Sequence, residues 1–344
     1  MRGVPNNVSA VMLVTGGSGF IGSAYLNYAV PKYPKILFVN FDALTYAANQ
    51  DNITVADFPN YRFVKGDIRD NEQVIKIFAK MQISSVLHFA AESHVDISIE
   101  HPDIFVETNV IGTHNLLKSA LSFKVDRFHF VSTDEVYGTL RDITENPFSE
   151  KSPVAPNNPY SASKAGGEAL VRAYERTFGM NTVITRGSNT YGKGQDESKF
   201  IPVIMNRLLR GKKIPLYSQG EHIRDWLYIT DHVRGIDRVF HKGRRGEVYN
   251  IGGTCELTNR ALVDKILVLF KKDSSWIEFT KDRAGHDFRY SLDTQKIRQE
   301  LGWMPRVSLD RGLRETAFHW KKMLSPRAIV SRMRNSTYRE SVPS

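Results

Sequence analysis

One cysteine, Cys255, stands in 344 residues, so an internal disulfide is excluded and no cluster of Cys and His offers a zinc site. Long apolar runs are also missing. No stretch approaches the ~20 residues of a membrane span, and the N-terminus lacks the charged-then-apolar pattern of a secretory leader, so a cytoplasmic protein is expected. A continuous basic stripe is absent too. The net charge is +10, but the cations come as scattered pairs (Lys212-Lys213, Arg244-Arg245, Lys271-Lys272, Lys321-Lys322) with acids between them. That scatter suits a small anionic ligand and a solvated surface, and speaks against nucleic acid. There is no internal repeat. What remains, 41% hydrophobic and 24% charged residues, is an ordinary globular composition with enough chain for a large core.

Apolar, β-branched runs alternate with amphipathic stretches from the start. Residues 10–15, 35–41, 61–64, 84–89, 126–131 and 181–185 read as buried strands, the kind found in a parallel sheet covered on both faces. Between them residues 71–81, 102–121 and 159–178 read as helices, the last ended by Gly179. Strand-helix alternation of this kind predicts an α/β, doubly wound parallel sheet of Rossmann type over 1–186. From 187 to 325 short strands, Gly/Pro turns and isolated helices (200–209, 259–271) predict a smaller C-terminal substrate-binding lobe. The two are expected to interleave, because 247–251 reads as a buried strand able to return to the main sheet. Residues 326–344 carry four arginines against one glutamate with little apolar periodicity, and read as a loosely held basic tail.

Gly16-Gly17-Ser18-Gly19-Phe20-Ile21-Gly22 follows the first strand and opens a helix. Bare backbone there can approach a pyrophosphate while the helix N-terminus supplies amide donors, so Gly16, Gly19, Phe20, Ile21 and Gly22 are candidate cofactor contacts. Asp42 ends the second strand, where an acid takes the adenosine ribose hydroxyls and repels a 2'-phosphate; NAD is therefore favoured over NADP. Asp67-Ile68 and Phe89-Ala90-Ala91 fall at strand ends on the same edge, although for the alanines plain sheet-to-helix packing is an equal reading.

Tyr160 and Lys164, spaced i, i+4, share a helical face. A nearby ammonium and the positive charge of oxidised nicotinamide would favour tyrosinate, letting Tyr160 accept a hydroxyl proton as hydride leaves. Just before them, Ser132-Thr133 close a strand and Asp134-Glu135 follow. Adjacent carboxyls at the end of a buried strand are costly unless exposed or paired. They could cap the turn. If their environments differ, they could instead serve as acid and base, one removing a proton beside a ketone and the other protonating a departing hydroxyl.

The segments 16–22, Asp42 to Ala47 (with Thr45), His88 to Asp96, Ser132 to Gly138, Tyr160 to Lys164, Ile223 to Tyr228, Tyr249 to Gly253 and Gly285-His286-Asp287 together resemble the extended short-chain dehydrogenase/reductases. Within them the chain is similar to the dTDP-glucose 4,6-dehydratase family, from about Val11 to Trp320. The resemblance implies a cycle in which hydride leaves C4 for NAD, water leaves across C5 and C6, and the hydride returns to C6. It makes Glu135 the base at C5, Asp134 the acid at the C6 hydroxyl and Tyr160 the base at the C4 hydroxyl, with Thr133 and Lys164 orienting the reacting oxygens. Thr45, Ser93, Thr108 and Asn189 join the implied cofactor contacts. Ser93, Thr133, Asn189, Lys199, Leu216, Tyr217, Arg224, Asn250, Arg283, His286 and Tyr290 become the implied sugar-nucleotide contacts. Pairing across a two-fold as a homodimer is implied as well. The chain departs from the family pattern at Ile97, Thr190, Lys193, Ala284 and Phe288. UDP-glucose is the alternative substrate, and a nucleotide-sugar 4-epimerase the alternative enzyme. An epimerase would share the glycine motif, Asp42, Tyr160 and Lys164 but has no use for Asp134 and Glu135.

Overall fold

A computed structural model describes residues 8–282 and 286–323. Its centre is a seven-stranded sheet. Strands β1 (Ala10–Thr15), β2 (Ile36–Asp42), β3 (Tyr61–Lys65), β4 (Ser85–His88), β5 (Arg127–Thr133) and β6 (Thr182–Gly187) lie in the order β6-β5-β4-β1-β2-β3, all parallel. Side chains alternate across the sheet, so Met12 and Val14 enter one core while Val11 and Leu13 enter the other. Both faces are therefore covered, which is why these strands read as unbroken apolar runs rather than as alternation.

The helices of the first half are α1 (Phe20–Lys32), α2 (Asn71–Met81), α3 (Val95–Glu100), α4 (Pro102–Val106), α5 (Thr113–Ser122) and α6 (Pro159–Phe178). Their ends are written in capping chemistry. Asp70 accepts the amides of Glu72 and Gln73 before α2, and Asn158 with Ser161 forms a reciprocal capping box before α6, with Pro159 in the first turn. Gly179 ends α6 at φ 68°, a left-handed turn that glycine adopts without a Cβ clash.

The stretch read as one helix over 102–121 is in fact α4 and α5 joined by a widened π turn, Glu107–Gly112. Asn109 explains it: its Oδ1 accepts the Glu92 amide at 2.8 Å, and its Nδ2 donates to Glu92 O at 3.0 Å and Ser163 Oγ at 2.8 Å. A side chain tied inward on both edges holds the extra residue, as π turns do near functional sites.

Beyond Gly187 come β7 (Asn189–Tyr191), α7 (Phe200–Leu209), β8 (Ile214–Tyr217), β9 (Ile223–Tyr228), α8 (Ile229–Lys242), β10 (Val248–Ile251), β11 (Glu256–Thr258), α9 (Asn259–Phe270), β12 (Ile277–Thr280), α10 (Gln295–Leu301) and α11 (Leu309–Met323). β10 pairs parallel with β6 and completes the main sheet. The other strands form a three-stranded sheet, β11-β9-β7, and a two-stranded one, β12-β8. One hydrophobic core runs from the sheet face carrying Met12 and Val183 into this second lobe through Ile204, Leu227, Leu262 and Leu313. Among the described residues no helix is long and apolar enough to cross a membrane. The basic tail expected over 326–344 lies outside the described residues.

Candidate active site

A cavity of about 330 Å³ opens along the C-terminal ends of the main-sheet strands. That is the edge where the strand order of a doubly wound sheet leaves a crevice. At one end the turn 16–22 packs tightly: Gly16 has φ 68°, and a Cβ there would meet Ala90 N at 2.5 Å. Gly19 precedes α1 without a side-chain cap, and no acid stands in the first turn, so the helix amides face the cavity unclaimed by a carboxylate. Asp42 closes this end, its carboxylate accepting Ser18 N at 2.9 Å and Leu44 N at 2.8 Å. Burial pushes that carboxyl up, and the two amides oppose the shift. Phe20, Ile21, Gly22, Thr45, Asp67, Ile68, Phe89, Ala90, Ala91, Ser93 and Thr108 line the same wall.

The catalytic end follows from β5 running past its apolar run to Thr133, so that Ser132 and Thr133 close the strand as expected. Ser132 and Thr133 pair with Arg186 and Gly187, which carries Thr133 to the sheet edge. A single 3-10 turn, Asp134–Tyr137, follows, and Thr133 Oγ1 accepts the Glu135 amide at 3.3 Å. The two carboxyls thereby receive unlike surroundings: Asp134 is 2% exposed, Glu135 half-buried. Burial, then the charges of Glu135 and Asp225, hold the Asp134 carboxyl well above the usual range, which favours its protonated form. Thr133 Oγ1 donates to Asp134 Oδ1 at 3.3 Å.

Tyr160 and Lys164 reach the cavity from α6, anchored by the capping box just before them. Burial and Glu135 raise the Tyr160 phenol, while a hydrogen bond to Thr133 opposes this. Lys164 is not among the strongest influences on it. The lysine donates to Val131 O at 2.8 Å, sits 4.1 Å above the Phe130 ring, and is driven by burial down to about 7. Burial of both groups thus works against the tyrosinate expected from a neighbouring ammonium.

The second lobe contributes Asn189 and Lys199 to the wall, Lys199 Nζ donating to Ser93 O at 2.9 Å. Arg224 and Tyr290 stand behind it. The guanidinium donates to Ile223 O and Asp287 O, lies 4.5 Å over the Tyr290 ring, and lowers the Asp134 carboxyl against the upward pull of burial. Tyr290 OH donates to the Asp287 carboxylate. Six expected ligand contacts do not line the cavity: Arg224, Tyr290, Tyr217, His286, Leu216 and Asn250. Leu216 is buried in the core, and Asn250 spends its side chain internally, accepting Tyr137 OH at 2.8 Å and donating to Phe148 O at 2.9 Å. Tyr217 is exposed, edge-on to the His286 ring. Arg283 lies outside the described residues.

Several residues went unread in the sequence. Arg69 and Glu92 line the cofactor end, and His232 lines the floor, 2.7 Å from Thr190 Oγ1 and driven by burial to about 3. Asp225, raised by burial to about 6, accepts the amides of Gly253 and Cys255 at 2.8 Å. Its place inside Arg224-Asp225-Trp226 was the only available signal. His222, Asp282 and His286 gather their ligand-type atoms within 4.8 Å, a cluster hidden by sequence distance. The two rings lie face to face at 3.6 Å and 19°, so their in-plane lone pairs run side by side instead of converging. Asp282 joins them, 3.1 Å from His222 and 2.7 Å from His286.

A doubly wound sheet with a glycine turn, an acid ending β2 and a Thr/Tyr/Lys set at the crevice defines the extended short-chain dehydrogenase/reductase class. A family model described as GDP-mannose 4,6 dehydratase matches residues 13–316. The dTDP-glucose 4,6-dehydratase of Haemophilus influenzae is 46% identical over 326 residues, covering 89% of this chain and 96% of its own. DesIV, a dTDP-glucose 4,6-dehydratase from Streptomyces venezuelae crystallised with NAD bound, matches with a TM-score of 0.87 at 44% identity, covering 91% of this chain and 97% of that one. A UDP-glucose 4-epimerase from Thermotoga maritima has nearly the same TM-score, 0.85, at 30% identity over 92% of this chain and 100% of its own. The chain belongs to the GDP-mannose 4,6 dehydratase family, and within it to the dTDP-glucose 4,6-dehydratase type of enzyme. Backbone shape alone would not separate it from epimerases; sequence identity, 44–46% against 30%, does.

Proposed function

We propose that the chain converts dTDP-glucose to dTDP-4-keto-6-deoxyglucose, with Asp134, Glu135 and Tyr160 as its acid and bases. The observation that carries this reading is the split environment of the carboxyl pair: Asp134 buried with its carboxyl raised, Glu135 half-buried beside it, both at the end of β5. The uncapped N-terminus of α1 and the carboxylate of Asp42 suit NAD, which supplies a reversible hydride acceptor when bound. Its cationic nicotinamide is the charge that the buried phenol of Tyr160 needs before it can take the C4 hydroxyl proton. Glu135 then removes the proton at C5, made acidic by the new ketone. Asp134 gives its proton to the C6 hydroxyl, which departs as water and leaves a C5–C6 double bond. After hydride returns to C6, Glu135 returns its proton to C5, and the product keeps the C4 ketone. Arg224 and Lys199 are suited to the diphosphate by charge.

We read residues 187–325 as the sugar-nucleotide lobe and the product as a deoxysugar precursor. The exposed apolar side chains of Val106, Ile111 and Phe178, on the α4–α6 surface, support pairing of two copies there.

Glu135→Gln tests the assignment. The variant should oxidise C4 but stall before elimination, so that reduced-cofactor absorbance accumulates on adding dTDP-glucose and no 4-keto-6-deoxy product forms. Product formation at the unaltered rate would refute it, and recovery of only a C4-inverted hexose from the unaltered protein would favour the epimerase.

A further inference from the structure

A second concavity, about 560 Å³, lies between the C-terminal halves of α1 and α8 and the segment 302–306. It is distinct from the catalytic cavity. α1 touches that cavity with Phe20 to Gly22 and this cleft with Tyr28 and Lys32, Phe20 and Lys32 being twelve residues and about 18 Å of helix apart. α8 offers His232 to one and the stretch from Arg234 to Lys242 to the other, on separate faces.

The charge on the cleft is one-sided. Lys32, Arg234, Arg238, Lys242 and Arg306 face Asp237 alone. That acid is already neutralised: it is 5% exposed, bound by Lys32 at 2.7 Å and by Tyr33 OH at 3.0 Å, with His241 at 3.6 Å. Asp231, beneath the wall, is also spoken for, by Arg234 at 2.6 Å and by the amides of Arg306 and Val307. The exposed Arg238, Lys242 and Arg306 are left over. Arg238 gives its Nε to Leu301 O at 2.8 Å, and among the described residues no carboxylate lies within ion-pair distance of any of the three.

Cations in the last turn of a helix offset its dipole, which accounts for Lys32, His241 and Lys242. It does not account for Arg306, in a loop, or for Arg234 and Arg238, further back on α8. Arg234, Arg238 and Lys242 repeat every fourth residue, and like charges at that spacing repel by about 0.2–0.5 kcal/mol per pair. A concave surface that has its acids quenched, and its surplus cations stacked on one helical face, is organised for a compact, multiply charged anion. Guanidinium forks match phosphate oxygens two at a time.

We propose that this cleft is a second, non-catalytic binding site for a diphosphate group, held by Arg238, Lys242 and Arg306. Inorganic pyrophosphate, a nucleoside diphosphate and a nucleotide sugar all carry that chemistry. The test is calorimetric titration of the NAD-loaded full chain with inorganic pyrophosphate, in the unaltered protein and in the Arg238→Glu/Lys242→Glu double variant, whose changes lie on the surface. The unaltered protein should take up one more equivalent than the variant, with affinity for that equivalent at least about tenfold weaker in the variant, while KM for the nucleotide sugar stays the same. Repeating the titration with a nucleoside diphosphate and with a nucleotide sugar, the substrate site being saturated, identifies the source: tighter binding than pyrophosphate means that a base is read, and equal binding means the diphosphate alone. Equal stoichiometry in both proteins overturns the proposal. So does displacement of the extra equivalent by chloride or sulfate at matched ionic strength, which would mark an adventitious ion only, or tighter binding of single-stranded nucleic acid than of any diphosphate.

Discussion

Replacing Lys164 by methionine should make the ligand-free protein more stable and leave it inactive. The ammonium is fully buried, and burial moves its titration from 10.5 to about 7. At about 1.4 kcal/mol per pH unit, that displacement corresponds to roughly 5 kcal/mol against the charged form. Methionine removes this cost but leaves Val131 O without its 2.8 Å donor, which returns about 1–2 kcal/mol. A net gain of about 3 kcal/mol at neutral pH is expected. The pH dependence gives the sharper test. Below about pH 7 both folded and unfolded lysine are protonated, and the penalty is complete. Between about 7 and 10.5 the folded state has released its proton and the unfolded chain has not, so the unaltered protein recovers about 1.4 kcal/mol per pH unit relative to the variant. Urea unfolding of dinucleotide-free protein at about pH 7 and at about pH 10 measures both ends. A gap that does not change with pH, or a variant less stable at pH 7, would refute the reasoning.

Asp134→Asn should also stabilise the protein, by about 1–3 kcal/mol at neutral pH. The Asp134 carboxyl is raised, so the native state holds a proton that the unfolded chain loses, and the advantage of the variant should disappear as pH falls through the ordinary carboxylate range. Thermal melts at two pH values read this directly, while elimination should slow by about 10² or more. Glu168→Gln should do the opposite: Arg186, wholly buried, loses its 2.5 Å partner, and denaturant unfolding should register a loss of about 3–5 kcal/mol. A loss under about 1 kcal/mol would mean that water reaches the arginine.

The main sheet was legible because buried parallel strands are apolar throughout and their helices carry caps and a terminal glycine, as at Asn158 and Gly179. The cofactor end was legible because backbone geometry dictates residue type there: only glycine fits against Ala90 at Gly16. The π turn was not, since what widens it is the inward hydrogen bonding of Asn109 to Glu92 and Ser163, contacts that apolar periodicity does not encode. The second lobe was read poorly for the same reason. Asn250 looks like a ligand contact in sequence, but its partners Tyr137 and Phe148 come from a loop a hundred residues earlier. Asp225 and His232 exert their effects through burial, and burial at those positions follows from tertiary packing alone.

Because β10 returns from the far lobe to lie beside β6, the first 187 residues do not make a finished unit. A fragment cut there would display β6 as a raw, untwinned edge of apolar residues, an open template for any other strand. The boundary that looks natural along the chain is thus a seam across which neither half can be lifted away whole.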